Sequence, residues 1–302
     1  MIRVNTLNDE VLKSDPFVMV IGNFDGVHPG HLHLIETAKS QNLNVAALTF
    51  DPHPGLFFNE DFKFLTDSDL KSKYLMKAGV DILITVKFDR KLASLTPDGF
   101  ARMINVSEVK KIVVGNDFRF GNDRTGDINF LRNFFGNHVE IIGVEPVKTG
   151  NVKLSSSRIR DFIASGNILE ATSQLGRRYC VHGEVVHGAK IGSELGYPTV
   201  NLETLQLIPG DGVYAVLIHT SDNRKFSGAA SIGNRSTIFE NSSRVFEVHI
   251  LNFDGIIYGE KLRVKFVEKI REQKKYSDLE QLKYAIQMDI DKIRDILIDD
   301  YS

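Results

Sequence analysis

In the first half of the chain, apolar residues gather into short runs of strand length, at Val18–Ile21, Asn44–Thr49, Ile82–Val86, Lys111–Val114 and Val139–Val144. Between them, Leu32–Ser40, Asp67–Ala78, Pro97–Ile104 and Ile128–Phe135 carry apolar residues at helical spacing. Alternation of this kind predicts a doubly wound, Rossmann-like α/β domain with a parallel sheet, whose ligands bind at the carboxyl ends of the strands.

The texture changes after Ser155. Ser156–Ala164 and Ile168–Leu175 read as two short helices, and from Tyr179 to Glu268 short, partly alternating runs are separated by Gly, Asn and Asp clusters. That pattern predicts an antiparallel barrel or sandwich. Over Ser277–Ile298, the residues Leu279, Leu282, Ile286, Ile290, Ile293 and Leu297 recur every three or four positions, which predicts a long amphipathic helix packed on the barrel. The domain boundary is expected near Gly176, dividing the chain into residues 1–176 and 177–302.

The chain's 302 residues are enough for two cores, and 42% hydrophobic with 25% charged residues is a globular composition, too apolar for disorder. With 37 basic against 39 acidic residues, and near balance on either side of Arg160, bulk charge offers no nucleic-acid module. The longest clearly apolar runs span about five residues, against the roughly 20 that a membrane helix needs. Asn5, Asn8, Asp9 and Glu10 occupy the place of a secretory signal's apolar core. One cysteine, Cys180, allows no intrachain disulfide, which fits a cytoplasmic location.

Two stretches carry candidate chemistry. Val18 to His31 runs from a strand through Gly22, Gly26 and Gly30 into a helix, bringing His28 and His31 to a helix N-terminus. Glycines allow close approach of a ligand, the N-terminus attracts an anion, and imidazoles there can donate to phosphate oxygens as charge builds. Two histidines at a surface turn are an equally good account of that segment alone. Three further segments favour the chemical one: Leu48–Pro54, Val114–Gly121 and Ser155–Arg160, the last offering guanidinium and hydroxyl groups to phosphate. Phe118 and Phe120 suit a core role at least as well as stacking on a ring.

The second stretch, Gly183–Asn201, is a glycine loop leading into Pro198, Thr199 and Asn201. Two residues apart on a strand, Thr199 and Asn201 face the same way and can hold Mg²⁺ together with nucleotide phosphates and waters. A turn entering a strand is the commoner meaning of Pro-Thr-X-Asn. Glu247 interrupts Val245–Leu251, on the opposite face from Phe246, Val248 and Ile250, where it can serve as a base or simply meet solvent.

Taken in order, these segments resemble the prokaryotic bifunctional riboflavin kinase and FAD synthetase family over nearly the whole chain. The motifs are His28-Pro-Gly-His31, Gly196-Tyr-Pro-Thr-Val-Asn201, Gly212-Val-Tyr214, Glu247, Tyr258-Gly259 and Arg271-Glu-Gln-Lys-Lys-Tyr276. The resemblance implies a cytoplasmic transferase that makes FMN and ADP from riboflavin and ATP, then FAD and pyrophosphate from FMN and ATP. It assigns Gly22, Asn23, Asp25, His28, Gly30 and His31 to the ATP site of an N-terminal FMN adenylyltransferase, with Ser156, Arg158 and Arg160 closing on phosphates. Asp117, Phe118 and Arg119 lie toward the flavin. In the kinase half, Thr199 and Asn201 hold Mg²⁺, Glu247 is the base, and the loop around Gly188 and Gly192, with Pro198, covers nucleotide phosphates. It implies no nucleic-acid or membrane partner and is compatible with self-association.

Ser157 stands for a usual Thr and keeps the hydroxyl, whereas Ser236 stands for a usual Pro and Ile256 for a usual Asp in the second half, so an enzyme with a weakened kinase half is one alternative. A flavin-sensing protein without turnover is another, opposed by the presence of His28, His31 and Glu247 together. An RNA-directed nucleotidyltransferase is a third, opposed by the balanced charge and the second half.

Overall fold

The computed structural model describes residues 1–150, 152–187, 196–234, 244–255 and 257–298. The chain forms two compact units, Met1–Ser156 and Ser157–Ser302.

The first unit is built on a six-stranded sheet of β1 (Ile2–Val4), β2 (Phe17–Ile21), β3 (Asn44–Asp51), β4 (Ile82–Lys87), β5 (Val109–Gly115) and β6 (Glu140–Val144), in the order β1-β4-β3-β2-β5-β6. Every neighbouring pair is parallel. The apolar runs mark buried strands because both faces are covered. Phe17, Met19 and Ile21 enter one core while Val18 and Val20 enter the other. Helices α1 (Pro29–Lys39), α2 (Pro54–Phe58), α3 (Ser68–Ala78), α4 (Arg90–Ala93), α5 (Pro97–Ile104) and α6 (Ile128–Phe135) connect the strands. Ile35 of α1 and Leu75 of α3 pack on one face of the sheet, and Phe100 of α5 and Leu131 of α6 on the other. Strand order reverses between β2 and β5, so their carboxyl ends flank the crevice where such sheets bind ligands. A short hairpin, β7 (Lys148–Thr149) with β8 (Val152–Lys153), follows the sheet.

Helices α7 (Ser156–Ala164) and α8 (Ile168–Leu175) have the limits read from the sequence. The strands of the second unit are β9 (Cys180–Val186), β10 (Thr199–Glu203), β11 (Gly212–His219), β12 (Lys225–Asn234), β13 (Arg244–Ile250) and β14 (Lys261–Arg271). They close into an antiparallel barrel in the order β10-β13-β12-β11-β14-β9, which settles barrel against sandwich. Tyr214, Phe246 and Phe266 are among its buried aromatics.

The terminal helix α9 (Leu279–Ile296) starts after Asp278, whose carboxylate accepts from the Gln281 amide at 2.9 Å. Ile290, Ile293 and Leu297 pack with Ala215 and Leu251 of the barrel. Arg271 anchors the helix further, its Nε donating to Asp289 Oδ1 at 2.9 Å. One residue of the expected stripe departs: Leu279 is 62% exposed, because it opens the helix about two turns before Ile286, where packing on the barrel cluster begins.

Candidate active sites

At the carboxyl end of β2 the chain turns sharply into α1. Phe24 (φ 50°), Gly26 (φ 80°) and Val27 (φ 37°) all take left-handed backbone. For a β-branched valine this costs on the order of 1–3 kcal/mol, and such strain gathers at functional turns. Asp25 holds the turn in place. Its Oδ1 accepts from the amides of Leu65 (2.8 Å) and Thr66 (3.1 Å), while the Gly26 amide donates to Thr66 Oγ1 at 3.0 Å. Asp25 is thus committed to shaping the turn, whereas Asn23 is exposed.

His28 is the N-cap residue of α1 and is buried; His31, in the first turn, is half-buried. Their rings stack with centroids 3.8 Å apart, and Phe24 meets His31 edge-on at 5.4 Å. Gly30 makes room for this pair, since a Cβ there would lie 3.1 Å from the His28 ring. Both imidazoles therefore sit at a helix end that carries positive potential and no acidic residue in its first turn.

Ser156 Oγ donates to the Asp25 carbonyl at 2.8 Å, which brings this hydroxyl to the same turn. Along α7, Ser156 and Arg160 stand one turn apart and share a face, but Arg158 is about 200° from Arg160 around the axis. Arg158 instead lies over the Phe162 ring at 5.3 Å. At the end of β5, Asp117 pairs with Lys153, Arg119 is exposed with Nη1 donating to the Phe118 carbonyl, and Phe118 stacks on buried Phe120 at 5.5 Å. Phe120 belongs to the core, and Phe118 packs against that core half-buried.

Lys71 of α3 is a residue the sequence reading passed over. It is buried at 7% exposure, with Nζ donating to Thr49 Oγ1 at 3.3 Å, and Thr49 Oγ1 donates in turn to the Asn23 carbonyl at 3.2 Å. Desolvation lowers its pKa, opposed by the charges of Asp25 and Asp51. Between that lowered value and the unfolded value near 10.4, the unfolded chain binds more protons, so this group makes stability rise with pH there. Lys71→Met removes the effect. The melting temperature of the parent relative to Lys71→Met is expected to climb as the pH rises from the lowered pKa towards about 10, and a difference independent of pH would show that Lys71 is not desolvated.

The second constellation lies on the outer face of the barrel. Asn201 of β10 pairs directly with Glu247 of β13, and Glu247 pairs with Ser231 of β12. Cross-strand partners share a face with Cβ atoms about 4.5–5.5 Å apart, so these three side chains form a polar row. Thr199 lies two residues from Asn201 on the same face. Burial alternates along β13 as expected: Phe246, Val248 and Ile250 point inward, and Glu247 is half-buried on the other side. Gln273 reaches this row from beyond β14, its Nε2 donating to Ser231 Oγ at 2.9 Å. His187 stacks on Tyr258 at 3.9 Å, beside the Tyr258-Gly259 pair. Hydroxyl, carboxamide and carboxylate oxygens on one face are the donors a hard cation takes, so the set fits Mg²⁺. Gly188, Gly192, Ser236 and Ile256 lie outside the described residues.

A strained strand-to-helix turn leading to two stacked histidines in one unit, and an oxygen-rich barrel face bearing a carboxylate in the other, fit a two-part group-transfer enzyme. The comparisons give that class its family. Residues 12–158 match the FAD synthetase family and residues 175–297 the riboflavin kinase family. The bifunctional riboflavin kinase/FMN adenylyltransferase of Buchnera aphidicola is 36% identical, over 91% of this chain and 92% of its own length. That of Escherichia coli K12 is also 36% identical, over 90% of each chain. A crystal structure described as a macrolide-efflux protein from Streptococcus pneumoniae superposes with a TM-score of 0.84 at 32% identity, over 97% of this chain and 99% of that one. Among the described residues, no helix is long and apolar enough to cross a membrane. The chain belongs to the bifunctional riboflavin kinase/FMN adenylyltransferase family.

Proposed function

We infer that the chain performs two successive transfers from ATP: phosphorylation of riboflavin to FMN with release of ADP, and adenylylation of FMN to FAD with release of pyrophosphate. The observation that carries this reading is one chain holding both sets of groups, the stacked His28 and His31 at the N-terminus of α1 and the Asn201–Glu247 pair on the barrel. Both family matches cover the corresponding segments. We assign residues 1–176 to adenylyl transfer, with α7 and α8 as a helical linker, and 177–302 to the kinase.

In the kinase, Glu247 takes the proton of the ribityl hydroxyl as its oxygen attacks the γ-phosphorus of ATP, and ADP departs. Thr199 and Asn201 would hold Mg²⁺, which when bound would supply neutralising charge to the nucleotide phosphates. Pro198 borders the nucleotide phosphates.

In the adenylyltransferase, an oxygen of the FMN phosphate attacks the α-phosphorus and pyrophosphate leaves. His28 and His31 donate to the oxygens that gain charge, and the helix N-terminus adds its potential. Gly22, Asn23 and Gly30 admit ATP, Asp25 keeps the turn that receives it, and Ser156 contacts its phosphates. Asp117, Phe118 and Arg119 border the flavin. Cys180, the one cysteine of the sequence, is buried and can form no intrachain disulfide, which suits the cytoplasm.

Purified protein incubated with riboflavin, ATP and Mg²⁺ and followed by chromatography is expected to yield FMN first and FAD later. Absence of both products would defeat the enzymatic reading; FMN without FAD, or FAD only from supplied FMN, would restrict it to one half.

A further inference from the structure

His249 is a polar residue of the kinase face that the two transfers leave unused. It lies two positions beyond Glu247 on β13, on the same outer face, half-buried and paired directly with Thr199 of β10. Its Nδ1 is 2.7 Å from the carbonyl oxygen of Pro198. A carbonyl only accepts, so Nδ1 carries the proton and donates it. The same ring meets Tyr197 edge-on, with centroids 5.9 Å apart and planes at 86°. Tyr197 in turn donates from its hydroxyl to Gln287 Oε1 of α9 at 3.2 Å.

Tyr197 and Pro198, the two residues that lead into β10, are thus fixed from β13 and from α9 immediately before Thr199. The strand needs such a fastening. Its ladder with β13 begins only at Thr199, Pro198 has no N–H to extend it, and Gly196 stands in left-handed backbone (φ 88°) with open space where a side chain would be. Thr199 is therefore the end residue of its ladder, where pairing is weakest.

We propose that His249 is a positioning residue of the kinase reaction: its Nδ1–H clamps the Pro198 carbonyl and so holds the Thr199 hydroxyl beside the Asn201 carboxamide at the Mg²⁺–nucleotide site. This rests on the assignment of Thr199 and Asn201 to that site. The clamp makes a demand on one atom of the side chain. Asparagine carries an amide N–H close to the place of histidine Nδ1, whereas glutamine carries its own nearer the place of Nε2, and phenylalanine keeps the ring without a donor.

The test compares His249→Asn, His249→Gln and His249→Phe with the parent in the full chain, with Asn201→Ala as a reference. Two quantities are read: the Mg²⁺ concentration for half-maximal FMN formation, and the protection from amide hydrogen exchange that Mg²⁺ plus ADP confers on a peptide covering residues 197–203. Conversion of FMN to FAD and thermal unfolding confirm that each variant is folded. His249→Phe and His249→Gln should raise the Mg²⁺ requirement about 10-fold, the lower end for losing a hydrogen bond behind a metal ligand, with kcat at saturating Mg²⁺ kept to within about threefold. Both should lose the protection, and His249→Asn should restore both readouts. Parental behaviour of His249→Phe, equal rescue by Asn and Gln, or no rescue by Asn in a folded variant would each overturn the clamp. If Asn201→Ala shifts both readouts and His249→Phe shifts neither, the clamp alone fails; if Asn201→Ala shifts neither, the metal assignment fails and the clamp falls with it.

Discussion

Riboflavin phosphorylation by Glu247→Gln is expected to fall about 10²–10⁴-fold, the usual cost of losing a general base, while the variant still converts supplied FMN into FAD. Glu247 stands across from Asn201 and beside Ser231, on the face opposite the buried Phe246, Val248 and Ile250. Glutamine keeps the length, the shape and a hydrogen-bonding group at that half-buried position, so the barrel should tolerate it. What is lost is the ability to accept the proton of the ribityl hydroxyl. The second reaction, which we assign to the other unit, is the internal control for folding and ATP quality. Thermal unfolding of the variant should match the parent, after which single-turnover measurement with riboflavin isolates the chemical step. A folded Glu247→Gln that phosphorylates riboflavin at the parental rate would show that alignment of ATP and riboflavin carries the reaction without a carboxylate base.

Where pattern and packing agree locally, the sequence is a good guide. β2 and β3 are apolar on both faces and α5 and α6 have the limits that their periodicity predicts, because each of these elements buries what its own residues dictate. β1 was not legible. Ile2–Val4 is three residues long with Ile2 51% exposed, and it becomes a strand only by pairing with β4, some eighty positions on. Barrel against sandwich stayed open for a related reason: alternation tells which residues point inward, but closure depends on β9 pairing with both β10 and β14, which no local pattern encodes.

The sites divide along the same line. The turn from Gly22 to His31 is contiguous and could be read directly. The work of Asp25 could not, since its amide partners at Leu65 and Thr66 lie forty residues away. Lys71 shares α3 with Lys73 and Lys77 and reads as one more solvated lysine, although its position one turn before buried Leu75 was a signal that it lies on the inward stripe. His249 gave a similar signal, two residues from Glu247 on an alternating strand. Its partner, the Pro198 carbonyl, needed the register of β10 against β13 to become visible.

Formation of FAD from FMN by His31→Ala is expected to drop about 10²–10³-fold, the typical loss for one preorganised donor to a developing oxyanion, with FMN formation from riboflavin nearly unchanged. His31 lies in the first turn of α1, its ring stacked 3.8 Å from that of His28 and held edge-on by Phe24. That packing fixes the imidazole before substrate arrives, so in the role proposed for it the ring needs no reorientation as pyrophosphate departs. Alanine is a good helix former and His31 is only half-buried, so α1 should persist and His28 should keep its place at the N-cap. The defect should therefore fall on the chemical step, with the rate of FAD formation reduced even at saturating ATP and FMN. Single-turnover conditions separate that step from product release. An unchanged single-turnover rate would remove His31 from the chemistry and leave His28, with the N-terminus of α1, to stabilise the leaving pyrophosphate.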